Sequence, residues 1–278
     1  MRVGTEAGFA LTGFGDEISP DLSVQLDVLA AEGIRHLELR SIWDKNVLDL
    51  DADDVERALK ELRSRAFAVS AIASPIGKVP LATDFAEYLG QFDKALQMAQ
   101  IFGAPYVRIF SFYVPQGDVA SYRKEVVHRL SVFAERAQAA GVILLHENER
   151  DIYGETPARC LEIVRGVNSP ALRLAFDPAN FVQVGISPME EAYPILHDDV
   201  AYVHIKDAVF SDGGIRLPGQ GDGGIPQLLA ALRGRGFRGF LSMEPHQLVA
   251  GRNSGFSGPG PFATAARALK GILRSLGE

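Results

Sequence analysis

The chain has 278 residues, 47% of them apolar and 23% charged, which is ordinary globular usage and excludes collagen, coiled coil and wholesale disorder. Lys plus Arg number 28 and Asp plus Glu 35, a formal charge of −7, so neither a nucleic acid nor an anionic membrane surface is an expected partner. A single cysteine, Cys160, excludes an intrachain disulfide and a cysteine-based zinc cluster; residues 1–10 hold no apolar run of signal-peptide length and no stretch nears the ~18 apolar residues of a membrane span, so a cytoplasmic protein is expected.

Short apolar runs alternate with longer segments of helical period. In chain order, a strand is expected at 9–15 and a helix at 22–32, then a strand at 36–41 and a helix at 52–65. The pairs continue with 68–74 and 85–102, 106–112 and 119–140, and 142–147 and 157–164. They end with 173–177 and 189–196, 201–206 and 225–235, and 239–244 and 263–276. The Ser19-Pro20-Asp21 run places a capping hydroxyl before a proline, and Asp118 and Ser187-Pro188 are further helix starts. Gly33, Gly103, Gly141 and Gly236 follow the last apolar helical residue, where a left-handed closing residue is needed.

The strand runs are continuous rather than alternating, as in strands buried on both faces. Eight strand–helix units with short connections imply parallel pairing through right-handed crossovers. The expected fold is therefore α/β, a single (β/α)8 TIM barrel over residues 1–278, in preference to a doubly wound open sheet. Two Gly-rich stretches, 213–224 and 251–260, fall in strand-to-helix loops; the first suits either a phosphate-binding loop or a mobile lid.

In such a barrel the active site lies at the C-terminal ends of the strands. Strand five ends His146-Glu147-Asn148-Glu149, strand six Asp177-Pro178-Ala179-Asn180, strand seven His204-Ile205-Lys206-Asp207 and strand eight Glu244-Pro245-His246. Carboxylates leaving apolar strands at four adjacent positions are not what a core needs. Glu147, Asp177, His204 and Glu244 form a set suited to one divalent ion, Mn²⁺, Mg²⁺, Co²⁺ or Zn²⁺. Lys206 shares the face of His204 and is a candidate acid/base or charge stabiliser, or else a partner for Asp207 or Glu244. Glu149, Asn180 and His246 are candidate substrate contacts. Arg40, Arg108 and Arg216, with Lys78, are candidates for an anion site, the alternative being that they only offset the acidic mouth. Trp43, Phe110, Phe112 and Phe181 are candidates for an apolar wall, with core packing the preferred role for the phenylalanines, and Cys160 is expected to be a buried small hydrophobe.

The order Glu, Asp-x-x-Asn, His-x-Lys-Asp, Glu-Pro on strands five to eight resembles the xylose isomerase-like TIM barrel superfamily, and within it the sugar phosphate isomerase/epimerase group. Gly15-Asp16-Glu17-Ile18, Ser74-Pro75-Ile76-Gly77-Lys78 and Pro218-Gly219-Gln220-Gly221-Asp222 carry the resemblance across the rest of the chain. It implies one divalent metal on Glu147, Asp177, His204 and Glu244, a small-molecule sugar substrate, and self-association as a homodimer or homotetramer. It further implies that Glu147 and Glu244 exchange a proton on the carbon beside a carbonyl, through an enediolate, in a keto-sugar or keto-sugar derivative. Two positions depart from the ketose epimerases: Asn180 stands where they often carry His, and Phe210 stands near the spacing of their sugar-binding arginine, with Arg216 a loose substitute. A lyase on the same site, an inosose-type dehydratase or a keto-glycoside cleaving enzyme, is the runner-up. An apurinic endonuclease of the same superfamily needs three zinc ions and more His ligands than the six histidines here supply.

Overall fold

The computed structural model describes residues 8–115, 117–250 and 255–277. The expected features at residues 1–7, and residues 251–254 of the second Gly-rich stretch, lie outside the described residues.

Eight strands form one parallel sheet: β1 (Ala10–Gly13), β2 (His36–Leu39), β3 (Ala68–Ala73), β4 (Tyr106–Ile109), β5 (Ile143–Glu147), β6 (Leu172–Phe176), β7 (Val200–Ile205) and β8 (Phe240–Met243). β2 pairs with β3, each later strand with its successor, and β8 with β1. Between β1 and β2 the circle is completed by one parallel bridge, Phe14 to Glu38, so the barrel is nearly closed. The eight expected strands are all present, each within a few residues of its expected ends.

The principal helices are α1 (Leu22–Ala31), α2 (Ala52–Ser64), α3 (Phe85–Phe102), α4 (Arg123–Ala140), α5 (Pro157–Val167), α6 (Pro178–Gln183), α7 (Tyr193–Leu196), α8 (Ile225–Gly234) and α9 (Pro259–Ser275). α6 is an addition to the expected set. Asp21 rather than Ser19 caps α1, accepting from the Val24 amide, while the Ser19 hydroxyl accepts from Asp21 itself. Asp118 and Ser187 precede helical turns but make no side-chain cap. Gly103 and Gly141 close α3 and α4 at φ of +65° and +71°, a region costly for residues with a Cβ.

Two apolar layers result. Between sheet and helices lies the main core, in which Phe92 stacks on Phe133 at 4.1 Å between ring centroids. Inside the barrel a smaller layer of Ala71, Leu145, Ala175 and Tyr202 is packed by Tyr106 and Phe240. That inner layer is the floor on which the polar mouth is built. Among the described residues no helix is long and apolar enough to cross a membrane.

Candidate metal centre and active site

Strand alternation turns every second side chain inward. Two residues beyond Leu145, Ala175 and Tyr202 of the floor stand Glu147, Asp177 and His204. Glu244 follows two residues after Ser242, which pairs in register with His204. The strands thus bring the four expected ligands together: one ligand atom from each lies within 4.8 Å of the others, and all four residues are buried. His204 Nδ1 is 3.1 Å from Glu147 Oε1, 3.5 Å from Glu244 Oε2 and 3.9 Å from Asp177 Oδ2.

Asp177 is fixed from two sides. Its Oδ1 accepts the Asn180 amide at 2.9 Å, capping α6. Asn148 brackets its backbone, accepting from Asp177 N at 3.0 Å and donating to Asp177 O at 2.9 Å. The remaining oxygen, Oδ2, faces the cluster. A short helix beginning with Pro178 is therefore the device that aims a metal-type carboxylate.

Behind His204 runs a polar chain through the barrel interior. His204 Nε2 lies 3.3 Å from Glu38 Oε1, and Glu38 Oε2 accepts the Tyr202 hydroxyl at 2.8 Å. The Tyr202 hydroxyl meets Ser70 Oγ at 3.0 Å, which meets Thr12 Oγ1 at 2.8 Å. A carboxylate behind an imidazole holds the proton on the rear nitrogen and presents the other toward the ligands.

The donor set fits a divalent ion. Donors about 2.1 Å from one ion lie at most about 4.2 Å apart, so a cluster spanning 4.8 Å closes with small side-chain shifts. Glu147 Oε2, Asp177 Oδ2 and His204 Nδ1 are buried and face one another across the cluster, held by ion pairs with Arg108, Lys206 and Glu147, so each has a lone-pair atom that an ion could take over.

Cations stand around this centre. Arg108 is 3.3 Å from Glu147 Oε2, and Arg40 is 3.3 Å from Glu244 Oε1 while its Nε meets Asp16 at 2.7 Å. Lys206 Nζ lies 2.7 Å from Asp177 Oδ2 and 3.3 Å from Glu244 Oε2; it pairs with these rather than with Asp207. Burial pushes Glu147 up, but His204 and Arg108 outweigh it and hold the carboxyl at about 2. Against the same push, Lys206 and His246 hold Glu244 well below the carboxylate range. At Asp177 burial wins, and its carboxyl rises to about 6 despite Lys206. Burial disfavours charge on His204 and Lys206, yet the surrounding carboxylates keep both protonated well above their ordinary values.

The other expected contacts divide. Asn180 Nδ2 donates to Glu147 Oε1 at 3.2 Å and to Asn148 O at 2.9 Å, so it orients a candidate ligand. His246 Nε2 lies 3.2 Å from Glu17 Oε1 and 3.5 Å from Glu244 Oε1. Glu149 pairs with Lys78 at 3.2 Å. Arg216 is exposed on a two-residue strand, and its guanidinium donates to its neighbour's carbonyl, Ile215 O, at 2.9 Å, apart from the cluster. Cys160 is buried and donates to Gly154 O, as expected of a packed thiol.

The Gly-rich loop after β7 corrects the phosphate-loop expectation. The Gly219, Gly221 and Gly223 amides all donate to the Asp207 carboxylate, at 2.8, 3.0 and 2.9 Å. An internal anion already fills that nest. Sequence reasoning also missed Glu17, Glu38, Asn148 and Tyr202 as members of the network. Glu38 had one usable signal, its period-two phase with Arg40. Glu17 had none, because its partners His246 and Ser257 stand 229 and 240 residues away.

A (β/α)8 barrel with three carboxylates and an imidazole converging at its C-terminal mouth is the class defined by fold and site. A family model described as xylose isomerase-like TIM barrel matches residues 26–271, and the chain belongs to that family. An Actinoplanes protein named 2-epi-5-epi-valiolone 7-phosphate 2-epimerase is 37% identical over 98 residues, 35% of this chain and 34% of that relative's length. The chain thus matches about a third of that relative. Among solved structures, a D-tagatose 3-epimerase-like protein superposes with a TM-score of 0.77 at 17% identity, covering 96% of this chain and 98% of that one. The IOLI protein, described with a binding zinc atom, superposes at 0.74 with 19% identity, covering 96% and 98%.

Proposed function

We propose that the protein is a divalent-metal-dependent sugar isomerase or epimerase, acting on a keto-sugar or keto-sugar derivative by removing the proton beside the carbonyl. The observation that carries this reading is the pair of buried glutamates, Glu147 and Glu244, on either side of His204, each with its own arginine. An ion held by Glu147, Asp177, His204 and Glu244 would polarise the substrate carbonyl and its neighbouring hydroxyl. His204 with Arg108, and Lys206 with His246, allow Glu147 and Glu244 to stand ionised in a buried site, so either can accept the proton. One glutamate, ionised, takes the proton from one face of the carbon, and the other, carrying a proton when the step begins, delivers its own to the opposite face, which inverts the centre. Return to a different atom isomerises instead. Lys206, charged between Asp177 and Glu244, offsets negative charge developing on substrate oxygens. The epimerase name of the Actinoplanes relative supports this choice of reaction.

A lyase reading rests on His246, a second proton carrier 3.5 Å from Glu244 that suits departure of a leaving group after the same first step. The test begins with metal analysis of gently purified protein: about one Mn, Co, Mg or Zn per chain, lost in His204→Ala. With a panel of keto-sugars in deuterated water, exchange at the carbon beside the carbonyl without elimination supports the isomerase. Elimination supports the lyase. Glu147→Gln should abolish turnover and spare binding. A chain that takes up no metal removes both readings.

A further inference from the structure

Beside the ligand cluster, on the β2–β4 side of the mouth, lies a cleft of about 360 Å³ whose polar lining is Arg40, Asn46, Lys78, Arg108 and Tyr113, with no carboxylate among its lining residues. The run Ser74-Pro75-Ile76-Gly77-Lys78 builds one wall. Gly77 adopts φ of +90°, and a Cβ there would lie 2.1 Å from Phe110 O, so only glycine lets the run press against the chain beyond β4. The contact is hydrogen-bonded like an added strand: Phe110 N to Ile76 O at 2.7 Å, Phe112 N to Gly77 O at 2.9 Å and Tyr113 N to Val79 O at 2.9 Å. Tyr88 OH accepts the Gly77 amide at 2.7 Å from behind.

This scaffold lays three cations on two aromatic rings. Lys78 Nζ is 4.3 Å and the Arg108 guanidinium 4.9 Å from the Phe110 centroid; Arg40 and Arg108 lie 4.6 and 5.3 Å from that of Phe14. Arg40 and Arg108 are 6% and 5% exposed. Glu149, Glu147, Glu244 and Asp16 meet these cations, yet buried Arg108 Nε makes no hydrogen bond, and its NH2 reaches only the Ala73 and Ser74 carbonyls at 3.4 Å. Burial and the charge of Arg108 pull the Lys78 ammonium below its ordinary value, which an added anion would relieve.

We propose that this cleft receives the phosphoryl group of a keto-sugar phosphate, whose carbonyl end lies at Glu147 and Glu244. The sugar part of the proposal rests on the isomerase reading above; the phosphate site does not. A phosphate monoester brings nearly two charges and three acceptor oxygens to three cations and the amide of Asn46, whereas a carboxylate brings one charge and two oxygens. The Gly-rich loop does not compete, since Asp207 already occupies its amides.

The test is calorimetric titration of the metal-loaded protein with sn-glycerol 3-phosphate, D-glycerate and glycerol. The phosphate ester is expected to bind, glycerate at least tenfold more weakly, and glycerol not at all. Lys78→Met should weaken the phosphate ester at least tenfold with metal content unchanged. Asn46→Asp is the second variant: it retains the Oδ1 acceptor that caps Leu48 N at 3.0 Å, keeping the loop folded, but sets a negative charge in the cleft, and should weaken binding as strongly. No binding of the ester at 10 mM, equal binding of glycerate, or unchanged affinity in both variants overturns the assignment. Absence of metal uptake and of deuterium exchange, with ester binding still sensitive to both variants, removes the isomerase reading and leaves the phosphate site standing.

Discussion

His204 is a candidate ligand whose direction is decided by the residue behind it. Glu38, buried in the barrel, takes up His204 Nε2 on one oxygen and the Tyr202 hydroxyl on the other. With an amide at that position the acceptor facing the imidazole is weaker, and the rear proton is less firmly placed. Glu38→Gln is therefore expected to lower affinity for Mn²⁺ or Zn²⁺ by about 10-fold or more, read by competition with a chromogenic chelator, while the circular dichroism of the barrel is unchanged. Unchanged affinity would make Glu38 a packing residue. The four candidate ligands are legible in the sequence because each is an ionisable residue at the end of an apolar strand, in phase with the inner face. Glu38 is equally in phase. What no single strand reveals is the sideways register that sets Glu38 beneath His204 rather than beneath Arg108, since that depends on the shear of the whole barrel.

At the scale of elements, the loop between β7 and α8 shows where reading from composition stops. Three glycines announce exposed backbone amides, not what those amides bind. Here the ligand is Asp207, the next residue but two after His204, so the loop is tied to the strand that carries a metal-type ligand. A Cβ on Gly221 would stand 2.4 Å from Asp207 Oδ1 and 2.5 Å from Ala208 O. Gly221→Ala is thus expected to destabilise the chain by about 2–4 kcal/mol in urea unfolding, with accelerated amide exchange confined to residues 217–224. Exchange that quickened evenly over the molecule would show that the loop has no local role. Strand ends are the other soft point. The apolar run through Phe110 and Phe112 reads as more strand, but those residues leave the sheet to pair with residues 76–79. Apolarity reports burial, and burial continues after the ladder ends.

Over the whole molecule, a parallel barrel joins its first element to its last, and here the two ends also meet in the outer layer. The alternation of eight apolar runs with eight helical segments makes that architecture legible. The residues that fasten its ends are not, because they are a buried carboxylate and two helix-borne cations some 235 positions apart. Glu32, at the end of α1, accepts Arg267 Nε at 2.9 Å and ion-pairs with Lys270, both on α9, and its backbone carbonyl accepts Lys270 at 3.0 Å. Burial pushes the Glu32 carboxyl up, but Lys270 and Arg267 outweigh it and hold it below the ordinary value of 4.5. A carboxyl depressed in the folded chain binds fewer protons folded than unfolded, so its contribution is fully present above the unfolded value and is lost as pH falls through the folded one. Glu32→Gln should therefore cost about 1 kcal/mol at pH 7, a magnitude set by ion pairs whose cationic partners are partly exposed. The gap between wild type and variant, measured by urea unfolding at successive pH values, should stay constant from pH 7 to about 5 and close toward pH 3. No gap already at pH 7 would assign the fastening to the packing of α1 on α9 and not to charge, because glutamine keeps the size and shape of glutamate but not its charge.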